Sequence, residues 1–152
     1  MKRTAVVLVA LVIVLAGAQL VRPARTNPAA DAPLAIGDPA VEAVLRRACF
    51  DCHSNETRWP WYSAVAPSSW LVVRDVNKGR DEMNFSSWKD PKGELRAEIC
   101  EKVREGEMPM KIYLPLHAEA RLTEQDKALL CAWADRSATA PAGLHSEEGD
   151  DD

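Results

Sequence analysis

The sequence predicts an all-α fold, a small domain of about four helices, on three observations. No stretch alternates apolar and polar residues for long enough to make a strand, and even Leu71, Val72 and Val73 are too short a run. Four segments carry apolar residues at helical spacing, with capping or stop residues at their ends. The chain of 152 residues is 47% hydrophobic and 28% charged, about one domain's worth. Setting aside an N-terminal segment and a tail leaves roughly a hundred residues to fold. That excludes a large two-domain enzyme, a disordered chain and a multi-span membrane protein.

The first element is not part of that domain. Lys2 and Arg3 precede an apolar run from Ala5 to Ala18, continued by Gln19, Leu20 and Val21, which is the layout of an export signal. Ala16, Gly17 and Ala18 offer a signal-peptidase site, while the 17 residues from Ala5 to Val21 reach the lower limit for spanning a bilayer. Residues 1–21 are therefore either a cleaved signal peptide or a retained membrane anchor. Residues 22–37 are rich in Pro and Ala and lack a period, as a linker does.

The domain is expected over residues 38–137. Asp38 and Pro39 supply an N-cap and a first-turn proline for a helix carrying Val41, Val44 and Leu45 and running into Cys49. Two prolines and the Trp59, Pro60, Trp61, Tyr62 cluster deny regular structure from Thr57 to Pro67. Ser68 or Ser69 can cap the second helix, which holds Trp70 to Val76 and is expected to stop near Gly79. The third opens at Asp90 and Pro91, aligns Leu95, Ile99 and Val103 on one stripe, and stops at Gly106. Thr123 opens the last, with Asp126 in the capping-box position and Leu129, Leu130 and Trp133 on the buried face. Residues 138–152 read as an acidic, solvated tail.

The net charge is −4, from 19 basic and 23 acidic residues, and five of the acids fall in the last six positions. The domain itself is near neutral and has no basic stripe, which argues against nucleic acid as a partner. Four cysteines are too few for a disulfide scaffold. Four of the five tryptophans fall between residues 59 and 88, a crowding that suits a large flat ligand or a compact core.

Cys49, Phe50, Asp51, Cys52 and His53 spell C-x-x-C-H, the haem attachment signature. Two thiols three residues apart can add across the two vinyl groups of one porphyrin, and the next residue then delivers an imidazole to the iron. A thioredoxin-type pair would need a preceding strand and a helix N-terminus to lower the first thiol's pKa. Here the pair follows a helix, whose negative end opposes a thiolate. A zinc site would need a second ligand pair, and Cys100, Cys131 and His117 lack finger-like spacing.

For the sixth coordination position, Met108 with Pro109 lies in an interhelical stretch after Gly106, and a thioether there can reach the iron. Met110 and His117 are the alternatives, although His117 precedes a polar run and reads as a surface residue. Arg58, Trp59, Trp61 and Tyr62 start five residues after His53, so they are expected at the macrocycle edge, with Arg58 or an indole N–H on a propionate. Asn84 to Trp88 is either pocket wall or helix connector. With two thiols committed to haem, Cys100 and Cys131 form an even remainder flanking buried helix faces, and they are expected to pair as a disulfide rather than remain separate thiols.

With these residues in view the chain resembles the bacterial monohaem "haem-binding domain" proteins, themselves similar to class I cytochromes c. The matching stretches are ACFDCHSNET (48–57), RWPWYS (58–63), APSSW (66–70), NFSSW (84–88), GEMP (106–109) and HAEARL (117–122), with QLVRP (19–23) after the apolar run. The resemblance covers about residues 38–136. It implies one covalent haem c at Cys49 and Cys52, His53 as proximal ligand and Met108 as distal ligand. Ala118 and Met110 stand where the family pattern has prolines, so the choice between Met108 and Met110 stays open.

The expected function is a non-enzymatic electron carrier, passing single electrons between extracytoplasmic redox proteins in the periplasm or at the membrane. The alternatives are a haem-based sensor with a displaceable distal ligand and a peroxidase-like enzyme using His117.

Overall fold

The computed structural model describes residues 2–90 and 94–138. It contains helices α1 (Lys2–Ala18), α2 (Pro39–Ala48), α3 (Phe50–His53), α4 (Ser68–Glu82), α5 (Glu94–Glu105) and α6 (Glu124–Ala138), with 3-10 turns at Trp61–Ala64 and Ala118–Ala120. Among the described residues no strand forms, and an isolated bridge pairs Ala32 with Ser87. The all-α expectation holds: α2, α4, α5 and α6 are the four principal helices. Most of the expected acidic tail, with His145, lies outside the described residues.

Each helix begins and ends for local reasons. Asp38 Oδ1 accepts from the amides of Ala40 and Val41, capping α2. Asp90 Oδ1 accepts from Glu94 N at 2.9 Å at the head of α5. At α6, Asp126 N donates to Thr123 Oγ1 at 3.1 Å while Thr123 N donates back to Asp126 Oδ2 at 2.8 Å, the reciprocal capping box. Gly106, with φ +70°, ends α5 in the left-handed conformation that glycine adopts without strain.

Two expectations fail. Neither Ser68 nor Ser69 caps α4: Ser68 is its first residue and its hydroxyl donates to the Tyr62 and Val65 carbonyls, while Ser69 is buried within the first turn. Nor does α4 stop at Gly79, since it continues to Glu82. Gly79 is there because the helix runs so close to Cys52 that a Cβ would lie 2.7 Å from the Cys52 carbonyl oxygen.

The core joins Val41, Val44 and Leu45 of α2 to Ile99 and Val103 of α5 and to Leu130 and Trp133 of α6. Burying aliphatic side chains of this kind contributes about 1.5–3 kcal/mol each. Phe50 stacks on Phe85 at 4.9 Å, and Phe85 on Trp88 at 5.8 Å. A disulfide between Cys100 and Cys131, with Cα atoms 4.7 Å apart, fastens α5 to α6. Residues 22–37 form no helix, yet they are tied down: Asn27 donates to the Thr57 carbonyl, Leu34 N to Phe85 O, and Trp133 Nε1 to Ile36 O. Among the described residues no helix is long and apolar enough to cross a membrane.

Candidate cofactor site

The C-x-x-C-H segment is bent by design of its neighbours. α2 ends at Ala48, Cys49 is the joint, and Phe50 to His53 make a single further turn. Phe50 points into the core, which turns Cys49, Cys52 and His53 toward a groove on the other side. That groove has a cavity of about 440 Å³ lined by Cys49, Cys52, His53, Gly79, Met108 and Met110, among others. A second cavity of about 290 Å³ adjoins it at Cys52, Met110 and Tyr113 and is walled by Trp61, Tyr62, Leu71 and His117. Volumes in this range suit an organic cofactor.

His53 is held from behind. Its Nδ1 lies 2.9 Å from the Gly79 carbonyl and 3.2 Å from that of Met83. A carbonyl only accepts, so Nδ1 carries the proton and donates, which leaves the lone pair on Nε2. A carbonyl partner on one ring nitrogen is how a metal-ligating imidazole is oriented. The Asn84–Trp88 loop supports this from the core side. Phe85 N donates to the His53 carbonyl at 2.7 Å, and Asn84 Nδ2 to Asn55 Oδ1 at 2.9 Å. None of its residues lines either cavity, so it is a connector and buttress rather than pocket wall.

Met108 is placed by the helix stop before it. The amides of Glu107 and Met108 both donate to Lys102 O, at 3.1 and 3.2 Å, folding the chain back over the end of α5. Met110, two residues on, lines both cavities. The expected pocket residues divide. Trp61 lines the second cavity, whereas Trp59 is half-buried outside the lining of both. Arg58 lines the second cavity, and its guanidinium pairs with Asp51 at 3.2 Å.

Asp51 is the residue that the sequence reading passed over. Its side chain is 12% exposed. It accepts from Arg58 N at 2.9 Å and from Tyr113 Oη at 3.0 Å, besides the guanidinium. The stretch after Met110 is thereby tied to the C-x-x-C-H turn. Burial and the Asp51 carboxylate together push the Tyr113 phenol well above its usual range. Burial likewise pushes Cys52 up to about 11 and Cys49 up to about 12, so both are neutral thiols. His117 is not the surface residue expected. It stacks on Tyr113 at 3.9 Å, its Nδ1 donates to Glu119 Oε1 at 3.3 Å, and its Nε2 accepts the Tyr62 hydroxyl at 2.7 Å. Both ring nitrogens are engaged, because the aromatic cluster folds over them.

Compared with known families, residues 13–136 match the haem-binding domain. The chain belongs to the haem-binding domain family. No curated protein and no solved structure matches it significantly. The residues present fit the group that the family name implies. An imidazole with its free Nε2 beside two groove-facing thiols, with two thioethers lining the same cavity, is a donor set suited to haem iron. The match begins at residue 13 and so takes in the end of the apolar helix and residues 22–37.

Proposed function

We propose that the protein is a monohaem c-type cytochrome that carries single electrons between extracytoplasmic redox partners. The observation that supports this most is the hydrogen bond from His53 Nδ1 to the Gly79 carbonyl, which presets the proximal imidazole next to Cys49 and Cys52. Cys49 and Cys52 would hold the haem covalently, and His53 Nε2 and Met108 Sδ would serve as ligands to its iron. When bound, the haem supplies one-electron exchange between ferric and ferrous iron. The chain's own contribution is to keep both ligands in place through that exchange. Gly79 and Met83 hold the imidazole, Lys102 O holds the Met108 turn, and Asp51 ties in Tyr113.

Export fits the charged and apolar N-terminus, and the Cys100–Cys131 bridge belongs in an oxidising compartment. The proposal includes retention of the apolar helix Lys2–Ala18 as an anchor that tethers the domain to a membrane.

The ferric holoprotein tests the ligand set. The weak red-edge sulfur-to-iron band is expected, abolished by Met108→Ala and kept by Met110→Ala. The reverse pattern moves the role to Met110. A reduced protein that takes up carbon monoxide rapidly and completely would instead favour the sensor reading.

A further inference from the structure

α1 stands clear of the domain: none of its residues is buried, and the side chains from Val6 to Leu15 are exposed on every face. Its foot, however, is not a free joint. Gln19 Nε2 donates to Ala66 O at 3.1 Å and Gln19 Oε1 accepts from Ala66 N at 3.0 Å, so the amide side chain pairs with one residue's backbone as a strand would. Two residues on, Trp70 Nε1 donates to Val21 O at 2.7 Å. The contacts continue along the chain: Arg25 Nη1 donates to Ser63 Oγ, and Arg80 donates to Thr26 O and Asn27 Oδ1. The Gln19–Ala66 and Trp70–Val21 bonds join QLVRP to APSSW. They set the direction in which α1 leaves the domain.

The surface at this joint is apolar. Leu20 is 86% exposed and Val21 64%, and Trp70, bonded to Val21, and Val65, next in sequence to Ala66, are exposed as well. Arg22 and Arg25 follow immediately in the chain. An apolar helix bare on all sides needs an apolar medium, and the chain passes from it into this patch without a break, so the same medium reaches both. A tryptophan with aliphatic neighbours and flanking arginines is the composition of a membrane–water interface.

We propose that this face lies on a phospholipid bilayer. Val65 and Trp70 enter the interfacial layer with Leu20 and Val21, Arg22 and Arg25 meet anionic headgroups, and the Gln19–Ala66 and Trp70–Val21 bonds hold the domain in one pose instead of letting it swing on a tether. The inference rests on the reading of α1 as a helix retained in lipid.

The test uses full-length holoprotein in vesicles of phosphatidylcholine and phosphatidylglycerol doped with a lipid carrying a photoactivatable diazirine on its upper acyl chain. Peptides are then mapped by mass spectrometry. Labelling of both α1 and the segment 61–71 is expected. The double variant Gln19→Ala, Trp70→Phe is expected to cut labelling of 61–71 several-fold while leaving α1 labelled, and a haem-stained gel and a melting curve establish that the variant is folded. Labelled α1 with an unlabelled 61–71 segment in the wild type overturns the docked face and leaves the anchor. Absence of label from α1 overturns the anchor and the docked face together. Equal labelling of 61–71 in wild type and variant overturns the latch.

Discussion

The carbonyl of Gly79 accepts the Nδ1 proton of His53 at 2.9 Å, and the same glycine sits where a Cβ would lie 2.7 Å from the Cys52 carbonyl oxygen. One residue of α4 therefore orients the proximal imidazole and lets the helix approach the C-x-x-C-H turn closely enough to do so.

Alanine at position 79 would gain about 1 kcal/mol in helix propensity. The atom it meets is backbone, which cannot swing aside, so α4 must move. A net loss of roughly 1–3 kcal/mol is expected for Gly79→Ala, seen as a lowered melting temperature and a lower yield of haem-loaded protein. A raised melting temperature would show that the close approach is not needed.

Asp51 collects Arg58 and Tyr113 beside the groove. Tyr113→Phe removes one donor and leaves the ion pair, at a cost of about 1 kcal/mol. Asp51→Ala strands its donors and costs roughly 2–4 kcal/mol. Urea denaturation of both single variants and the double variant measures the coupling; additive effects would mean that Tyr113 and Asp51 act separately.

Asp126 links α6 to α2. Burial alone would raise its carboxyl, but bonds from Arg47 and from the Thr123 amide and hydroxyl hold it down to about 2, against 3.8 unperturbed. A carboxyl depressed in the folded state contributes stability that is complete above the unfolded value and is lost as pH falls from about 4 to 2. The contribution is on the order of 1–2 kcal/mol. Asp126→Asn is expected to flatten the stability-versus-pH curve in that window and leave its slope near neutrality unchanged.

The Cys100–Cys131 bridge closes a loop with a sequence separation of 31. Chain entropy gives it roughly 3–4 kcal/mol. The double variant Cys100→Ser, Cys131→Ser is expected to lose most of that in a melting experiment while keeping a haem-stained band, because neither residue lines the groove cavities. Two alkylated cysteines in unreduced, unfolded protein beyond any at the C-x-x-C-H motif would contradict the bridge.

Caps and stripes made α2, α5 and α6 legible, because Asp38, Asp90, Thr123 and Gly106 act through local hydrogen bonds written in adjacent residues. The C-x-x-C-H spacing is local too, and the structure brings Cys49, Cys52, His53 and Met108 to one cavity. Gly79 misled, since its role depends on Cys52, which lies far from it in sequence and meets it only after folding. Asp51 and Tyr113 carried no local signal either: an acid between two cysteines and a tyrosine between Ile112 and Leu114 become partners across the groove. His117 looked solvent-facing beside its polar run, and only the packing of Tyr113 over it shows otherwise. The bonds that residues 22–37 make to Thr57, Ser63, Arg80, Phe85 and Trp133 are long-range ones, which composition and periodicity do not reveal.

Covalent haem at Cys49 and Cys52 is the central claim, and a denaturing gel stained for haem tests it most directly. After co-expression with cytochrome c maturation factors, the wild-type band is expected to stain, and the double variant Cys49→Ala, Cys52→Ala, present at equal protein load, is expected to be colourless. A colourless wild-type band, or staining that survives loss of both thiols, would contradict it.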